Sequence, residues 1–385
     1  MLDATVAPDW LVALFALGGR DVPSWLPQAL ACVLLLAPLP FLLLFALRAR
    51  PRQTRVPPYR ERVLLLGASS GVGRALARQY AARGCTDLVL VGRREAELEK
   101  VRQECEELRS RGEEWEMSGE APGWEARARR RARVIVADCT KPEDVLRIRD
   151  ECLEALEGID TVHLLFGLAA LRPILAIAGV DPLRRVPAAF ARKGSKHRGE
   201  HASLSGLQAV AKASHTILDA NIAATAMCAT ALLPLLQLSS AEPAFSTLGS
   251  LAGLVPAPTR ALYGASKAGQ HMLLQGLALE AAAQAKADSR RAHVRFLHVL
   301  PGTIATGFRA GAVDGAPEES GARDSSWDRE SKSDVLTAEH VAQQTILAVD
   351  RQTQGELLMP PKYRFARLGM ALLVLAKVAH RKYEY

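Results

Sequence analysis

Paired cysteines are missing from this sequence. Its six cysteines have neither the spacing of a zinc site nor the density of a secreted disulfide scaffold: Cys32, Cys85, Cys105, Cys139, Cys152 and Cys228. We interpret them as reduced thiols in a protein that faces the cytosol. Histidines are scattered on apolar segments as well, at His163, His271, His293 and His298, so no metal site is predicted.

The sequence also contains no recognisable nucleic-acid-binding motif. It nevertheless carries a net charge of +8, because it has 49 Lys and Arg and 41 Asp and Glu. The basic residues cluster near residues 48–62 and 127–133. A membrane surface is therefore the acidic partner that the composition favours, and no nucleic acid partner is expected. The length suits one enlarged α/β domain with appendages.

Charged residues are missing from residues 25–47, WLPQALACVLLLAPLPFLLLFAL. About 20 apolar residues are enough for a helix to cross a bilayer, so we predict a membrane span here, within an N-terminal anchor of residues 1–50. The segment lacks the basic leader of a signal peptide, and it is apolar all round, unlike an amphipathic core helix. Pro38 and Pro40 leave a re-entrant hairpin open as an alternative.

Basic residues follow the predicted span, at Arg48, Arg50, Arg52, Arg55, Arg60 and Arg62. Because the segment before the span is mainly acidic, the positive-inside rule puts the larger C-terminal part in the cytosol. The proline-rich residues 51–61 are interpreted as a linker. The endoplasmic reticulum is the default location for such an anchor, with lipid droplets second.

A glycine-rich loop follows an apolar strand pattern in RVLLLGASSGVGRALARQYAARG. Residues 63–66 suit a strand that is buried on both faces, and a helix pattern follows the loop. Gly67, Gly71 and Gly73 let the backbone turn tightly and approach a pyrophosphate, whose charge is favoured at a helix N-terminus. The order of strand, loop and helix therefore predicts a dinucleotide site.

An acidic residue is missing at the end of the second predicted strand, where Arg93 and Arg94 stand instead. An acid at this point would bind the ribose 2′-hydroxyl of NAD, whereas an arginine pairs with the 2′-phosphate of NADP. We therefore predict NADP(H) in preference to NAD(H). The alternative is that the two arginines are a solvated loop pair.

Strand and helix patterns alternate along the rest of the chain, which predicts a doubly wound parallel sheet of the Rossmann-like α/β class. A third strand is predicted at residues 133–140, and Asp138 lies near its end, where an adenine would bind. Thr337 begins a capped helix pattern, and GELLMPP predicts the last strand.

Further motifs follow in order along the chain: Asn221 in LDANIAAT, Ser250 in LGSLAG, YGASK and LPGTIAT. Together with the glycine-rich loop they resemble the short-chain dehydrogenase/reductase family over roughly residues 62–361. The resemblance implies one Rossmann-like catalytic domain of about seven parallel strands. The cofactor-binding residues predicted from the loop, the strand ends and the resemblance are Gly67, Ser69, Ser70, Gly71, Gly73, Arg93, Arg94, Asp138, Gly167, Lys267, Pro301, Gly302, Thr303 and Thr306.

Tyr263 and Lys267 lie four residues apart among small residues, so in a helix they share one face. A free tyrosine holds its proton up to a pKa of about 10, and a nearby ammonium favours the phenolate. The resemblance implies that Tyr263 is the general acid in reduction and the base in oxidation, and that Lys267 also holds the nicotinamide ribose. It further implies that Ser250 stabilises the carbonyl oxygen and that Asn221 holds a water that links Lys267 to solvent. Taken singly, these would be an ordinary half-buried tyrosine, a solvated lysine and two turn or cap residues.

The chain departs from the family pattern after the fourth strand, where Leu165, Phe166 and Gly167 stand in place of Asn-Ala-Gly. Inserts are predicted near residues 114–131 and 181–213. The polar residues 307–335 predict either a substrate lid or a disordered surface loop. The C-terminal tail, residues 362–385, is predicted to lie in the membrane interface or to pack on the domain or on a second subunit, as in a homodimer.

These observations predict a membrane-anchored, NADPH-dependent oxidoreductase that interconverts a carbonyl and an alcohol on a lipid-like substrate. Anchoring would keep the active site near the bilayer, where an apolar substrate partitions. Membrane-bound relatives in the family act on steroids, retinoids or 3-ketosphinganine, and an enzyme of the 3-ketosphinganine-reductase type is one alternative. The changed residues 165–167 leave a second alternative, a non-catalytic NADP-binding membrane protein.

Overall fold

The computed structural model describes residues 52–116, 132–180, 201–257, 259–314 and 335–365, with the backbone alone for 110–116 and 364–365. These residues belong to one compact unit, Pro51–Tyr385. Several predicted segments lie outside the described ranges: the anchor with its span at 25–47, residues 117–131 and 181–200 of the inserts, 315–334 of the lid, and 366–385 of the tail.

Seven parallel strands form one sheet in the order β3-β2-β1-β4-β5-β6-β7. The strands are β1 Arg62–Leu66, β2 Asp87–Gly92, β3 Arg133–Val136, β4 Thr161–Leu164, β5 Ala244–Leu248, β6 Arg295–Pro301 and β7 Gly355–Met359. Strand β1 pairs with β2 on one side and with β4 on the other, so the strand order reverses at β1. Sheets of this kind bind ligands in the crevice at the carboxyl ends of these strands. The predicted doubly wound parallel sheet is confirmed.

Strand β3 is shorter than the predicted residues 133–140. Asp138 lies beyond its end, where the Oδ1 atom of Asp138 accepts hydrogen bonds from the backbone nitrogen of Thr140 at 3.1 Å and from the Thr140 hydroxyl at 2.9 Å. Such a bond from an aspartate to the backbone two residues later makes a turn in place of a strand ladder. The strand therefore ends at Val136.

Helices cover both faces of the sheet. They are α1 Gly71–Ala82, α2 Glu95–Glu116, α3 Pro142–Leu156, α4 Ile174–Ile177, α5 Leu204–Leu218, α6 Ala224–Ser239, α7 Ala261–Ala287 and α8 Ala338–Asp350. Val63 and Leu65 of β1 belong to one core with α1, α2 and α8, whereas Leu64 and Leu66 belong to a second core with α3, α6 and α7. The strand is apolar throughout because alternate side chains enter two different cores.

One helical stretch within the described ranges, Leu204–Ser239, is long and apolar enough to cross a membrane by length and composition. It consists of α5, which begins inside the predicted insert 181–213, a π-helical turn at Asp219–Ala223, and α6. Cys228, Leu232 and Leu236 of α6 are buried in the second core. Packing on the sheet thus accounts for the apolar character of α6.

Arg52 belongs to the segment interpreted as a linker, yet it is buried against residues at the amino ends of β1 and β4. Its guanidinium donates from Nη1 to the Glu61 Oε1 atom at 2.6 Å and from Nη2 to the Thr161 hydroxyl at 2.7 Å. It also donates from Nε to the backbone oxygen of Glu242 at 2.9 Å. Only 1% of Arg52 is exposed, so this part of residues 51–61 is a fixed piece of the fold.

Candidate active site

Two glycines of the glycine-rich loop between β1 and α1, Gly67 and Gly73, have no space for a side chain. A Cβ atom at Gly73 would lie 2.1 Å from the backbone oxygen of Gly67, and Gly67 has a φ of +102°. Gly71 also adopts a positive φ, of +53°. The backbone is therefore open to a ligand at the N-terminus of α1, and these residues fit the pyrophosphate of a dinucleotide.

Polar side chains from two neighbouring strand ends meet beside this loop. The Nη2 atom of Arg94, just after β2, donates to the hydroxyl oxygens of Ser69 and Ser70, at 2.9 Å in each case. The Nη1 atom of Arg93 lies 4.0 Å from the Oδ2 atom of Asp138, which follows β3. The predicted NADP-binding residues are thus brought together as an exposed cationic cluster next to the glycines.

The segment after β6 reaches the same loop. Pro301 ends β6, and the Gly302 nitrogen donates to the Met359 oxygen at the end of β7, at 2.8 Å. The Thr303 oxygen accepts from the Leu336 nitrogen at 2.9 Å. The Cγ2 atom of Thr306 lies 3.3 Å from the point where a Cβ atom of Gly71 would stand. The segment therefore runs beside the glycine-rich loop, and the cofactor contacts predicted for it stay predictions.

Asn221 and Lys267 converge on Gly167 in the loop after β4. A Cβ atom at Gly167 would lie 2.9 Å from the Asn221 Oδ1 atom and 3.3 Å from the Lys267 Nζ atom. The glycine is the one family residue kept in the changed segment 165–167, and the space it leaves is taken by these two polar groups.

The side chain of Asn221 is fully buried and uses its hydrogen-bonding groups within the protein. Its Oδ1 atom accepts from the Leu168 nitrogen at 2.8 Å, and its Nδ2 atom donates to the Leu168 oxygen at 3.0 Å and to the Ser266 hydroxyl at 2.9 Å. Both amide hydrogens are thereby used. The side chain fixes the loop after β4 to helix α7, and the water that the resemblance implies at Asn221 stays a prediction.

Lys267 is also buried, on helix α7. Its Nζ atom donates to the Leu248 oxygen at the end of β5, at 3.0 Å, and to the Oε1 atom of Gln270, at 2.9 Å. Burial lowers the pKa of the Lys267 amine from its ordinary value to about 8. The amine is therefore still mainly protonated at neutral pH.

Tyr263 lies one turn before Lys267 and is hydrogen-bonded to Ser250. Burial raises the pKa of the Tyr263 hydroxyl, and the Ser250 bond and the charges of Arg260 and Arg309 act in the opposite direction. The expectation that the Lys267 ammonium favours the Tyr263 phenolate stays a prediction.

Ser250 serves the backbone at the same time. Its Oγ atom accepts from the Ala252 nitrogen at 3.2 Å and caps the short 3-10 helix Leu251–Gly253. A hydroxyl both accepts and donates, so the cap leaves the Ser250 hydrogen available to Tyr263. Ser250 therefore caps the short 3-10 helix and also hydrogen-bonds the candidate catalytic tyrosine.

The sequence reasoning missed three features of the described residues. Gln270 lies seven residues after Tyr263, on the same face of α7, and that spacing was a signal that could have identified it. The ring of Phe308 lies 6.1 Å from the Tyr263 ring, centroid to centroid. The Asp314 carboxylate accepts from the backbone nitrogens of Leu171 at 2.8 Å and Arg172 at 2.6 Å, a contact that no local pattern predicts.

Comparison with known proteins identifies a matching family and several relatives of this chain. A family model described as short chain dehydrogenase matches residues 61–118 and 202–316. Sulfoacetaldehyde reductase 2 of Chromohalobacter salexigens is 29% identical over 246 residues, which cover 64% of this chain and 73% of that protein. The 11-beta-hydroxysteroid dehydrogenase 1A of Arabidopsis thaliana is 27% identical over 210 residues, which cover 54% of this chain and 45% of that protein.

Solved structures share the fold at low sequence identity. An alcohol dehydrogenase from the archaeon Thermococcus sibiricus, complexed with 5-hydroxy-NADP, aligns with a TM-score of 0.51 at 17% identity, over 78% of this chain and 95% of that one. A short chain dehydrogenase/reductase from Burkholderia phymatum, in complex with NAD, aligns with a TM-score of 0.55 at 19% identity, over 80% and 91%. The matched family model, the relatives and the shared fold lead to one conclusion: the chain belongs to the short-chain dehydrogenase/reductase family and is an oxidoreductase that acts on alcohol and carbonyl groups.

Proposed function

We propose that the protein is an NADPH-dependent reductase that converts a carbonyl to an alcohol with Tyr263 as its proton donor. The observation that carries this proposal is the hydrogen bond between Tyr263 and Ser250, one helical turn before the buried Lys267. A nucleotide bound at the glycine-rich loop supplies the hydride. The protein supplies the proton and holds the carbonyl oxygen.

The proton step rests on the protonation state of Tyr263. Because burial raises the pKa of its hydroxyl, the phenol carries its proton at neutral pH, and the Ser250 bond with the charges of Arg260 and Arg309 opposes that rise and so favours donation to a carbonyl oxygen. Ser250 donates a hydrogen bond to the same oxygen and stabilises its developing negative charge. In the reverse reaction the same two groups would take up the proton and hold the alcohol oxygen.

Lys267 and Asn221 have supporting roles in this proposal. The Lys267 ammonium binds the nicotinamide ribose and contributes positive charge next to the reacting oxygen. Asn221 fixes the loop after β4 through Leu168 and helix α7 through Ser266, so that Gly167 keeps its close approach to both polar groups. These hydrogen bonds hold the reacting groups in a fixed geometry.

Arg94 is proposed to select NADPH over NADH. Replacing Arg94 by alanine removes a guanidinium that bonds Ser69 and Ser70 at the glycine-rich loop. A hydrogen bond between charged groups contributes about 1.5–3 kcal/mol, so we expect the Kd for NADPH to rise about ten- to hundred-fold. The Kd for NADH should change little. Both constants are measured by isothermal titration calorimetry.

Arg102→Ala is the matched control, since Arg102 lies on α2 and pairs with Glu99 and Glu106 rather than with the loop. It should change neither constant. Arg93→Ala tests the neighbouring arginine in the same way, and we expect it to weaken the binding of NADPH more than the binding of NADH. Equal losses for the two nucleotides in the Arg94 variant would contradict the assignment of a 2′-phosphate contact.

A lipid-like substrate is supported by an exposed aromatic side chain beside Tyr263 and by two further exposed apolar residues. The Phe308 side chain is 41% exposed although its ring contacts Tyr263. Ile174 and Leu175, which follow the loop that bonds Asp314, are exposed as well. A membrane anchor at residues 25–47, with the catalytic domain on the cytosolic face of the endoplasmic reticulum, would bring such a substrate to the site. The names of the hydroxysteroid dehydrogenase relatives are consistent with an apolar ketone.

A small anionic carbonyl compound is the second candidate substrate. Arg260 and Arg309 lie close enough to lower the pKa of Tyr263, so positive charge is present near the proton donor. A sulfonate or carboxylate on the substrate would bind there. Two relatives are named for the reduction of sulfoacetaldehyde, a molecule of this class.

A panel of carbonyl compounds tests the proposed function with the full-length protein in detergent. The panel contains a 3-keto sphingoid base, a steroid ketone, retinaldehyde, and a short aldehyde with and without a sulfonate. We expect NADPH consumption with the long apolar compounds and none with their alcohol analogues. Consumption with the sulfonated aldehyde alone would favour the second candidate. Tight NADPH binding without turnover of any compound would point to the non-catalytic alternative.

A further inference from the structure

A buried glutamine bonds the Lys267 amine. Gln270 follows Lys267 by one turn of α7, and 1% of it is exposed. Its Oε1 atom accepts from the Lys267 Nζ atom at 2.9 Å, and its Nε2 atom donates to the Thr225 hydroxyl at 2.8 Å. The Thr225 hydroxyl in turn donates to the Asn221 oxygen at 2.9 Å. A continuous chain of hydrogen bonds therefore joins Lys267 to the π-helical turn that carries Asn221.

The surroundings of the Lys267 amine contain little charge. Within the described residues it forms no ion pair, and Gln270 is the side chain that accepts a hydrogen bond from it. The neighbouring elements contribute the Leu248 oxygen from β5 and Gly167 from the loop after β4. Tyr263 is the titratable group on its own helix, and Arg260 and Arg309 lie near that tyrosine.

We propose that Gln270 is a positioning residue that keeps the Lys267 ammonium charged and fixed to the Asn221 turn. This inference rests on the proposed role of Lys267 in the reaction. An amide oxygen that bonds the charged form of an amine favours that form and opposes the effect of burial. A buried amide is costly unless both of its ends are bonded, and here both ends of Gln270 are bonded. The arrangement therefore stabilises one orientation of the glutamine and of the amine.

Two variants of similar size test this role in the full-length protein. Gln270→Met removes the acceptor, so the charged amine loses its bond and its pKa should fall by about one unit. Gln270→Glu supplies an anion, so the pKa of Lys267 should rise by about 1–3 units. The pKa is measured by competitive labelling with trace acetic anhydride over a range of pH, read by mass spectrometry of the Lys267 peptide, with and without NADP⁺.

Gln237→Met is the matched control. Gln237 is as buried as Gln270, but it lies on α6 and bonds the Ala281 oxygen and Arg291. Its replacement should lower the thermal unfolding midpoint without changing the pKa of Lys267. Opposite shifts in the two Gln270 variants cannot come from a general loss of stability, which would act in one direction.

Two results would overturn the inference: an unchanged Lys267 pKa in both folded Gln270 variants, or an equal shift in the Gln237 variant. Failure of the proposed function is distinguished by Lys267→Met. If that variant still reduces the carbonyl compounds with NADPH at the wild-type rate, Lys267 has no role in the reaction. If Lys267→Met is inactive and the Gln270 variants leave the pKa unchanged, only the role of Gln270 is contradicted.

Discussion

Replacing Tyr263 by phenylalanine is expected to lower kcat/KM for carbonyl reduction by about 10²- to 10⁴-fold, the usual contribution of a positioned acid. The variant keeps the ring that contacts Phe308 and removes only the hydroxyl bonded to Ser250. Hydride could still reach the carbonyl carbon, but the oxygen would have to take its proton from water. The measurement is steady-state NADPH consumption with the best substrate of the panel.

Nucleotide binding separates this effect from a damaged site. The Kd for NADPH in Tyr263→Phe should stay within a few-fold of the wild-type value, because the predicted nucleotide contacts lie at the glycine-rich loop and at Lys267. Tyr59→Phe is the control, since Tyr59 is an exposed tyrosine in a short 3-10 helix, and it should keep full activity. Wild-type turnover in the Tyr263 variant would remove the tyrosine from the proposed mechanism.

Replacing Arg52 by alanine is expected to lower the free energy of unfolding by about 3–5 kcal/mol, the cost of removing one partner of a buried ion pair. The remaining Glu61 carboxylate would keep Arg83 as a partner, but it would lose the 2.6 Å bond to Arg52. The backbone oxygens of Asp160 and Glu242 would lose a donor as well. Urea unfolding of the full-length protein in detergent, followed by circular dichroism, measures the change.

Arg55→Ala provides the comparison within the same segment. Arg55 pairs with Glu242 at 2.8 Å, but 59% of its side chain is exposed, so its loss should change the free energy of unfolding by about 0–1 kcal/mol. Similar small effects for both variants would mean that the segment before β1 does not stabilise the folded domain.

Local steric contacts explain why the glycine-rich loop could be predicted from the sequence. Gly73 sits where a Cβ atom would collide with the Gly67 oxygen, and this requirement is visible as a glycine at fixed spacing. The cap of α8 follows the same logic, because the Thr337 hydroxyl accepts from the His340 nitrogen at 3.1 Å, three residues along the chain. Such features depend on near neighbours in sequence, so a pattern records them.

Burial and distant contacts explain what the sequence could not show. Arg52 looks like a solvated residue of a basic, proline-rich segment until Glu61 and Thr161 are seen around it. The pKa of Tyr263 was predicted from the nearest charge along the helix. In the fold it depends first on burial and then on Ser250, which follows a different strand. The hydrogen-bond partners of the Lys267 amine likewise depend on the fold, because the Leu248 oxygen belongs to strand β5 and not to the helix that carries Lys267.

The segment after β6 is held at two separate points. Asp314 is bound to the loop after β4 through Leu171 and Arg172, and Leu336 is bound to residues beside Pro301 through Thr303 and Ala305. Residues 315–334 therefore join two anchored ends. Because each end is held by its own hydrogen bonds, the positions of Asp314 and Leu336 are fixed by contacts within the described residues.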